Sequence, residues 1–221
     1  MRGADGELTR EARQLVGGLL QHAAPLVAFG NTVAGSFLRL VPGQEAPTRR
    51  CWGRSNRTAM IRVPLDFATA HRLDLEMNPG ERGAYPTDLA RPTVELRTPD
   101  GSAFNHLLLA AITHCAATGL ADPAALELAN QLEVQGELTA GGERTTDLPA
   151  LPGSAVAAAQ ALEEHRAFFE AGGFPARMLD LVAAKLRAEA DEEIAKRLLR
   201  LPAAERLVES RRLMHKDLHK H

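Results

Sequence analysis

The sequence predicts an α+β fold: a small antiparallel sheet fragment followed by a helical carboxy-terminal half. Three observations carry this. Thr58–Val63 alternates, with Ala59, Ile61 and Val63 on one side and Thr58, Met60 and Arg62 on the other. Thr93–Arg97 alternates as well, Val94 and Leu96 opposing Thr93, Glu95 and Arg97. Period-2 patterning means half-buried strands, and it places Arg62, Glu95 and Arg97 on the open face. Beyond residue 100 the apolar spacing changes to that of helices.

Taken in order, residues 9–24 read as a helix, with Leu15, Val16, Leu19, Leu20 and Ala23 at helical spacing and Pro25 interrupting it. Residues 30–56 read as loop, punctuated by Gly30, Gly35 and Gly43. The two strands follow, separated by a long excursion from Leu65 to Pro92. Such an insertion is a binding loop or surface decoration, and decoration is the expected reading. A helix is expected from Ser102 to about Thr118 with Gly119 as its C-cap. Asp122-Pro123 opens the next helix, proline suiting a first turn. Gly136–Gly153 reads as loop, and three helices follow near 154–170, 175–199 and 202–216. The chain thus divides into a part with sheet and site loops, 1–118, and a helical part, 119–221.

Composition narrows the class of function. The 221 residues suffice for a sizeable core, and 45% hydrophobic with 24% charged residues is ordinary for a globular protein. A net charge of −2 gives no support to general nucleic-acid or membrane-surface binding. No stretch approaches the roughly 20 apolar residues of a membrane span. Cys51 and Cys115 lack disulfide or metal spacing, so a cytoplasmic location is expected.

Charge is nonetheless concentrated. Arg39, Arg49, Arg50, Arg54, Arg57 and Arg62 fall between Leu38 and Val63 with no lysine among them. Arginine grips carboxylate and phosphate through paired hydrogen bonds and keeps its charge. With Glu95 and Arg97 nearby, this pattern suits a small, multiply anionic substrate; a solvated basic strand pair is the plainer alternative.

Four motifs favour the first reading. Arg39-Leu-Val-Pro-Gly-Gln-Glu45-Ala-Pro resembles the RLVPGYEAP loop of the glutamine synthetase family. Asn56-Arg57-Thr58-Ala59 with Ile61-Arg62-Val63-Pro64 resembles its NRSA-x-IRIP segment, and Val94–Asp100 resembles its VEVRFPD strand. Gly17-Gly18-Leu-Leu-Gln-His22-Ala23 resembles the helix that precedes those loops. The motifs keep the family's order over roughly residues 10–118.

The resemblance implies ATP-dependent ligation of ammonia to glutamate through a γ-glutamyl phosphate. It assigns Glu45 and Arg57 as catalytic residues, Glu45 closing over the site and taking a proton from ammonium. Arg39 and Arg97 would bind the substrate, Arg57 and Arg62 the ATP phosphates, and Glu95 a divalent metal, Mg²⁺ or Mn²⁺. For Glu95 a cross-strand salt bridge to Arg62 or Arg97 is the alternative. The implied partners are glutamate, ammonia and ATP, with a homo-oligomer or docking on full-length subunits, and neither nucleic acid nor membrane.

Departures from the family pattern matter. Leu38 stands where lysine is common, Gln44 replaces the tyrosine before the loop glutamate, and Ala90-Arg91-Pro92-Thr93 replaces lysine-arginine nucleotide contacts. The family's amino-terminal β-domain, its upstream acidic metal ligands and its HGSGMH-type motif have no counterpart. The expectation is therefore a carboxy-terminal part of a larger catalytic domain, inactive by itself. A γ-glutamyl ligase for another amine and a non-catalytic pseudoenzyme or interaction fragment are the alternatives. His215 and His219 have metal-binding spacing, but a cationic helix end favoured by the dipole is the expected reading. His22 and His114 are expected to be satisfied core histidines, and Trp52 and Cys115 packing residues.

Overall fold

The computed structural model describes residues 7–41, 45–64, 76–80, 93–138 and 147–217. Gln44, Ala90–Pro92, His219 and most of the 65–92 excursion lie outside the described residues.

Helix α1, Arg10–Gln21, starts where Thr9 accepts a hydrogen bond from Ala12 N–H at 3.2 Å. It breaks at His22, and α2 runs Ala23–Gly30. Pro25 therefore does not end a helix. It lies in the first turn of α2, where its missing N–H costs no bond. Apolar all round, α2 is buried along almost its whole length.

The expected long loop after it contains helix α3, Ala34–Arg39, and strand β1, Trp52–Arg54. Strands β2, Ile61–Val63, and β3, Glu95–Leu96, occupy the two alternating segments. They pair antiparallel, as expected, with Arg62 opposite Glu95. The third strand, β1, joins the other edge of β2 in parallel, Trp52 opposite Ile61. Trp52 is wholly buried, its indole N–H donating to the Ala129 carbonyl at 2.6 Å. A tryptophan in a glycine-flanked segment hides a strand of this length from pattern reading.

Helix α4, Asn105–Ala121, is followed by α5, Pro123–Gln131. Gly119 is inside α4 rather than capping it, because α1 crosses there. A Cβ on Gly119 would meet the Gly18 Cα at 2.6 Å, and one on Gly17 would meet the Ala125 carbonyl oxygen at 1.9 Å. Asp122 caps α5 through Ala124 N–H at 2.9 Å, as its position before Pro123 predicts.

The carboxy-terminal helices are more broken than their apolar spacing predicts. The first splits at His165 into α6, Ala155–Glu164, and α7, Arg166–Ala171. The second splits into α8, Ala176–Arg187, and α9, Ile194–Arg200. Between those two, Ala190 takes φ 46° and buried Asp191 turns back to accept from Ala155 and Val156 N–H at 2.8 and 3.2 Å. Asp191 thus satisfies donors at the start of α6, which no linear pattern signals. The last helix is α10, Ala203–His215.

Three histidines converge on this framework. His22 stacks on Phe168 at 3.5 Å, and His114 lies 4.3 Å from the same ring. His165 stands edge-on to His22 at 6.2 Å. Burial, then the neighbouring His165 and His114, pull His22 down from its ordinary 6.5 to about 4. A folded value below the unfolded one means stability is complete above pH 6.5 and is lost as pH falls towards 4. Discounted for partial exposure, the loss is about 2 kcal/mol. Urea titrations at pH 7.5 and 4.5 should show it. In His22→Phe, which keeps the stacked ring, this pH-dependent loss should disappear.

Candidate functional site

The site forms where α3, the 45–59 loop and the polar face of β2–β3 meet. Arg39 ends α3, and its guanidinium reaches the segment that follows β3. Nη2 donates to the Thr98 carbonyl at 2.5 Å and to that of Pro99 at 3.4 Å; Nη1 reaches the Arg97 carbonyl at 3.4 Å.

Arg57 stands on a turn that Asn56 builds. Buried Asn56 accepts at Oδ1 from Thr58 N–H, the Thr58 hydroxyl and Ala59 N–H at 2.8, 2.7 and 3.1 Å. Its Nδ2 donates to the Gly136 carbonyl at 2.5 Å. This Asx turn follows Ser55, which takes φ 50°, and leaves Arg57 projecting outward. There Arg57 Nη1 meets both carboxylate oxygens of Glu45 at 3.1 and 3.2 Å.

The antiparallel register sets the rest. Arg62 Nη2 pairs with Glu95 Oε2 at 2.7 Å, and Arg97 Nε lies 3.7 Å from Glu95 Oε1. Arg97 Nη2 also approaches the Glu45 carbonyl at 3.4 Å. All six residues assigned on sequence, Arg39, Glu45, Arg57, Arg62, Glu95 and Arg97, are therefore joined in one network.

Its electrostatics favour an anion. Four arginines against two glutamates leave two positive charges in excess. Burial lowers the Arg97 guanidinium below its ordinary value; Glu95 opposes this, Arg62 and Arg39 add to it, and Glu45 opposes it. Two buried guanidinium nitrogens of the network, Arg62 Nε and Arg97 Nη1, find no acceptor among the described residues. Charged donors held away from water without a partner are costly unless something occupies them part of the time. Phosphate or carboxylate oxygens fit that need.

A divalent cation does not fit the described residues by themselves. Both oxygens of Glu95 face guanidinium groups, and no group of three or more His, Cys, Asp or Glu converges among the described residues.

The remaining arginines of the cluster serve other ends. Arg49 donates to the Leu148 carbonyl at 3.1 Å and forms an antiparallel bridge opposite Ala150. The Arg50 backbone N–H binds the Pro149 carbonyl at 2.9 Å, while its side-chain Nε is buried with no acceptor among the described residues, and Arg54 pairs with Glu7. Sequence proximity groups these with the site, whereas the fold turns them to tether loops. Asn56 is the reverse case. An asparagine directly before the exposed arginine is the signal of a built turn, and it holds Arg57 in place.

The chain matches the family model for the glutamine synthetase catalytic domain over residues 1–196. It is 32% identical over 192 residues to the glutamine synthetase of Aquifex aeolicus, covering 84% of this chain and 35% of that protein. It is 33% identical over 175 residues to that of Pyrococcus abyssi, covering 78% and 34%. Among solved structures, a GmaS/ADP complex matches with TM-score 0.53 and 26% identity, over 94% of this chain and 41% of that one. The Plasmodium falciparum glutamine synthetase matches in fold, with TM-score 0.57 at 23% identity, over 90% and 41%.

Fold and site thus define a part of an enzyme-type catalytic domain with an arginine-rich sheet face. The chain belongs to the glutamine synthetase family, and it spans about a third of the length of the curated relatives named here.

Proposed function

We propose that this chain supplies the arginine-lined part of an active site that ligates ammonia to glutamate at the expense of ATP, through a γ-glutamyl phosphate. The carrying observation is the joined network of four arginines and two glutamates with two buried, unpartnered guanidinium nitrogens. Activating a carboxylate spreads negative charge over phosphoryl oxygens, and fixed cations facing that charge lower the barrier.

The residues divide the work. Arg39 holds a carboxylate of glutamate, and Arg97 the reacting side-chain carboxylate and its phosphate. Arg57 stabilises the phosphoryl group in transfer, and Arg62 lies toward the nucleotide phosphates. Glu45, on an exposed loop and already paired with a cation at 3.1 Å, is placed to accept a proton from ammonium. Binding of ADP by the GmaS relative supports the nucleotide assignment. A divalent metal, when bound to such an enzyme, neutralises phosphoryl charge; Glu95 would be one ligand, and the others would come from outside the described residues.

A non-catalytic docking role is the second reading. The lack of a metal-binding group among the described residues favours it, as does the outer face of α4. That helix has no charged residue and exposes Leu109 and Leu120. Assembly with further subunits and a cytoplasmic location complete the proposal.

The test is a hybrid enzyme. Residues 9–118 are placed in the matching segment of the Aquifex aeolicus relative, and Mg²⁺-dependent phosphate release is followed with ATP, glutamate and ammonia or a panel of other amines. The hybrid should turn over with ammonia, while the 221-residue chain alone releases no phosphate. A folded hybrid without activity would favour the docking reading, and preference for another amine would move the assignment to that acceptor.

A further inference from the structure

We propose that Asn31 is a positioning residue for the anion site, acting on Arg39 and Arg97 through the carbonyl of Thr98. Asn31 ends α2 and is completely buried. Its Nδ2 donates to the Thr98 carbonyl at 2.9 Å, and Arg39 Nη2 donates to the same oxygen at 2.5 Å. Thr98 itself is buried and directly follows Arg97. One carbonyl therefore links the end of α2, the guanidinium of Arg39 and the backbone that carries Arg97.

The amide stays there at a cost. Its Oδ1 is buried without a hydrogen-bond partner among the described residues. Turning the amide over would set Oδ1 against the Thr98 oxygen, so the observed orientation is the only one that bonds. A buried asparagine whose acceptor oxygen is unused is a poor choice for packing alone, since an apolar side chain of similar volume would leave nothing unsatisfied. What the amide adds is direction. It holds the Thr98 carbonyl where a second, charged donor completes it, and the Arg39 guanidinium is fixed in turn.

Neighbouring bonds make this a latch between two segments. Thr32 N–H donates to Ser102 Oγ at 2.9 Å, and the Thr32 hydroxyl donates to the Ser102 carbonyl at 2.6 Å. Asp100 N–H donates to the Gly30 carbonyl at 3.1 Å. These bonds keep residues 30–32 beside 98–102 when Asn31 is changed, so the backbone frame survives the test.

The inference rests on reading Arg39 and Arg97 as anion grips, and its test separates the two claims. Two variants of the full chain are made: Asn31→Leu, which removes donor and orphan acceptor at similar volume, and Asn31→Asp, which sets a carboxylate against the Thr98 oxygen. Side-chain order parameters of Arg39 and Arg97 are measured by NMR in the free protein, and affinity for inorganic phosphate by calorimetry. Both variants should melt cooperatively, Asn31→Leu within a few degrees of the parent. Both should show the order of Arg39 and Arg97 falling to that of solvent-exposed arginines. Phosphate should bind about tenfold more weakly, the weight of one hydrogen bond. Unchanged arginine order in folded variants would overturn the positioning role, whatever the affinity. A parent chain that binds no phosphate would overturn the anion-site reading, while the order parameters still decide the role of Asn31.

Discussion

Gly18→Val is expected to abolish the cooperative fold. Where α1 crosses α4, a Cβ on Gly18 would sit 2.2 Å from the Cys115 carbonyl oxygen and 2.7 Å from the Gly119 Cα. Both are backbone atoms of a helix, so no rotamer change relieves the overlap. The helices must separate, uncovering Val16, Leu19 and Leu20, all of which are buried. Overpacking at such a site costs about 3 kcal/mol or more, a large share of the roughly 5–15 kcal/mol that holds a domain together. Gly101 provides the control, because a Cβ added there would meet nothing within 4 Å, and Gly101→Ala should be near neutral. Urea unfolding followed by circular dichroism distinguishes them. A Gly18→Val chain with the parent's midpoint would contradict so close a crossing of α1 and α4.

The second large effect concerns chemistry. In the active hybrid, Arg57→Ala should lower turnover by about 10²–10³ and leave the Michaelis constant for glutamate little changed. Arg57 is more than half exposed and touches Glu45 only through their charged ends, so its removal does not disturb the core. Its assigned work is on charge that develops during phosphoryl transfer, which is why turnover rather than binding responds. Unchanged turnover with a raised Michaelis constant would assign Arg57 to substrate binding instead.

Much of this was legible in the residues. The alternation at Thr58–Val63 and Thr93–Arg97 marked the strands, which form over Ile61–Val63 and Glu95–Leu96, and the face that carries Arg62, Glu95 and Arg97. Asp122-Pro123 announced a helix start by local capping chemistry. What escaped the sequence depends on distant partners. Strand β1 pairs parallel with β2 across a turn of a few residues, and that turn is held by Asn56 reaching Gly136. Gly119 reads as a helix end until α1 is laid against it. The breaks at His165 and Ala190 follow from tertiary packing and from Asp191 capping α6. Within the site, residue types and spacing pointed to an anion, and the motif resemblance singled out Arg57 and Arg62 over Arg49 and Arg54. Only the fold directs the first pair to Glu45 and Glu95 and the second pair to Leu148 and Glu7.

The central claim is that the Arg39–Arg97 network is a site for a phosphate-bearing anion. Calorimetric titration of the chain with ADP tests it most directly, comparing the parent, the double variant Arg62→Ala/Arg97→Ala and Arg166→Ala. Arg166 lies on α7 and pairs with Glu170 and Asp180. The parent and Arg166→Ala should bind ADP alike, with affinity falling as salt rises, and the double variant should lose binding. No binding by the parent, or equal binding by all three, would contradict the account.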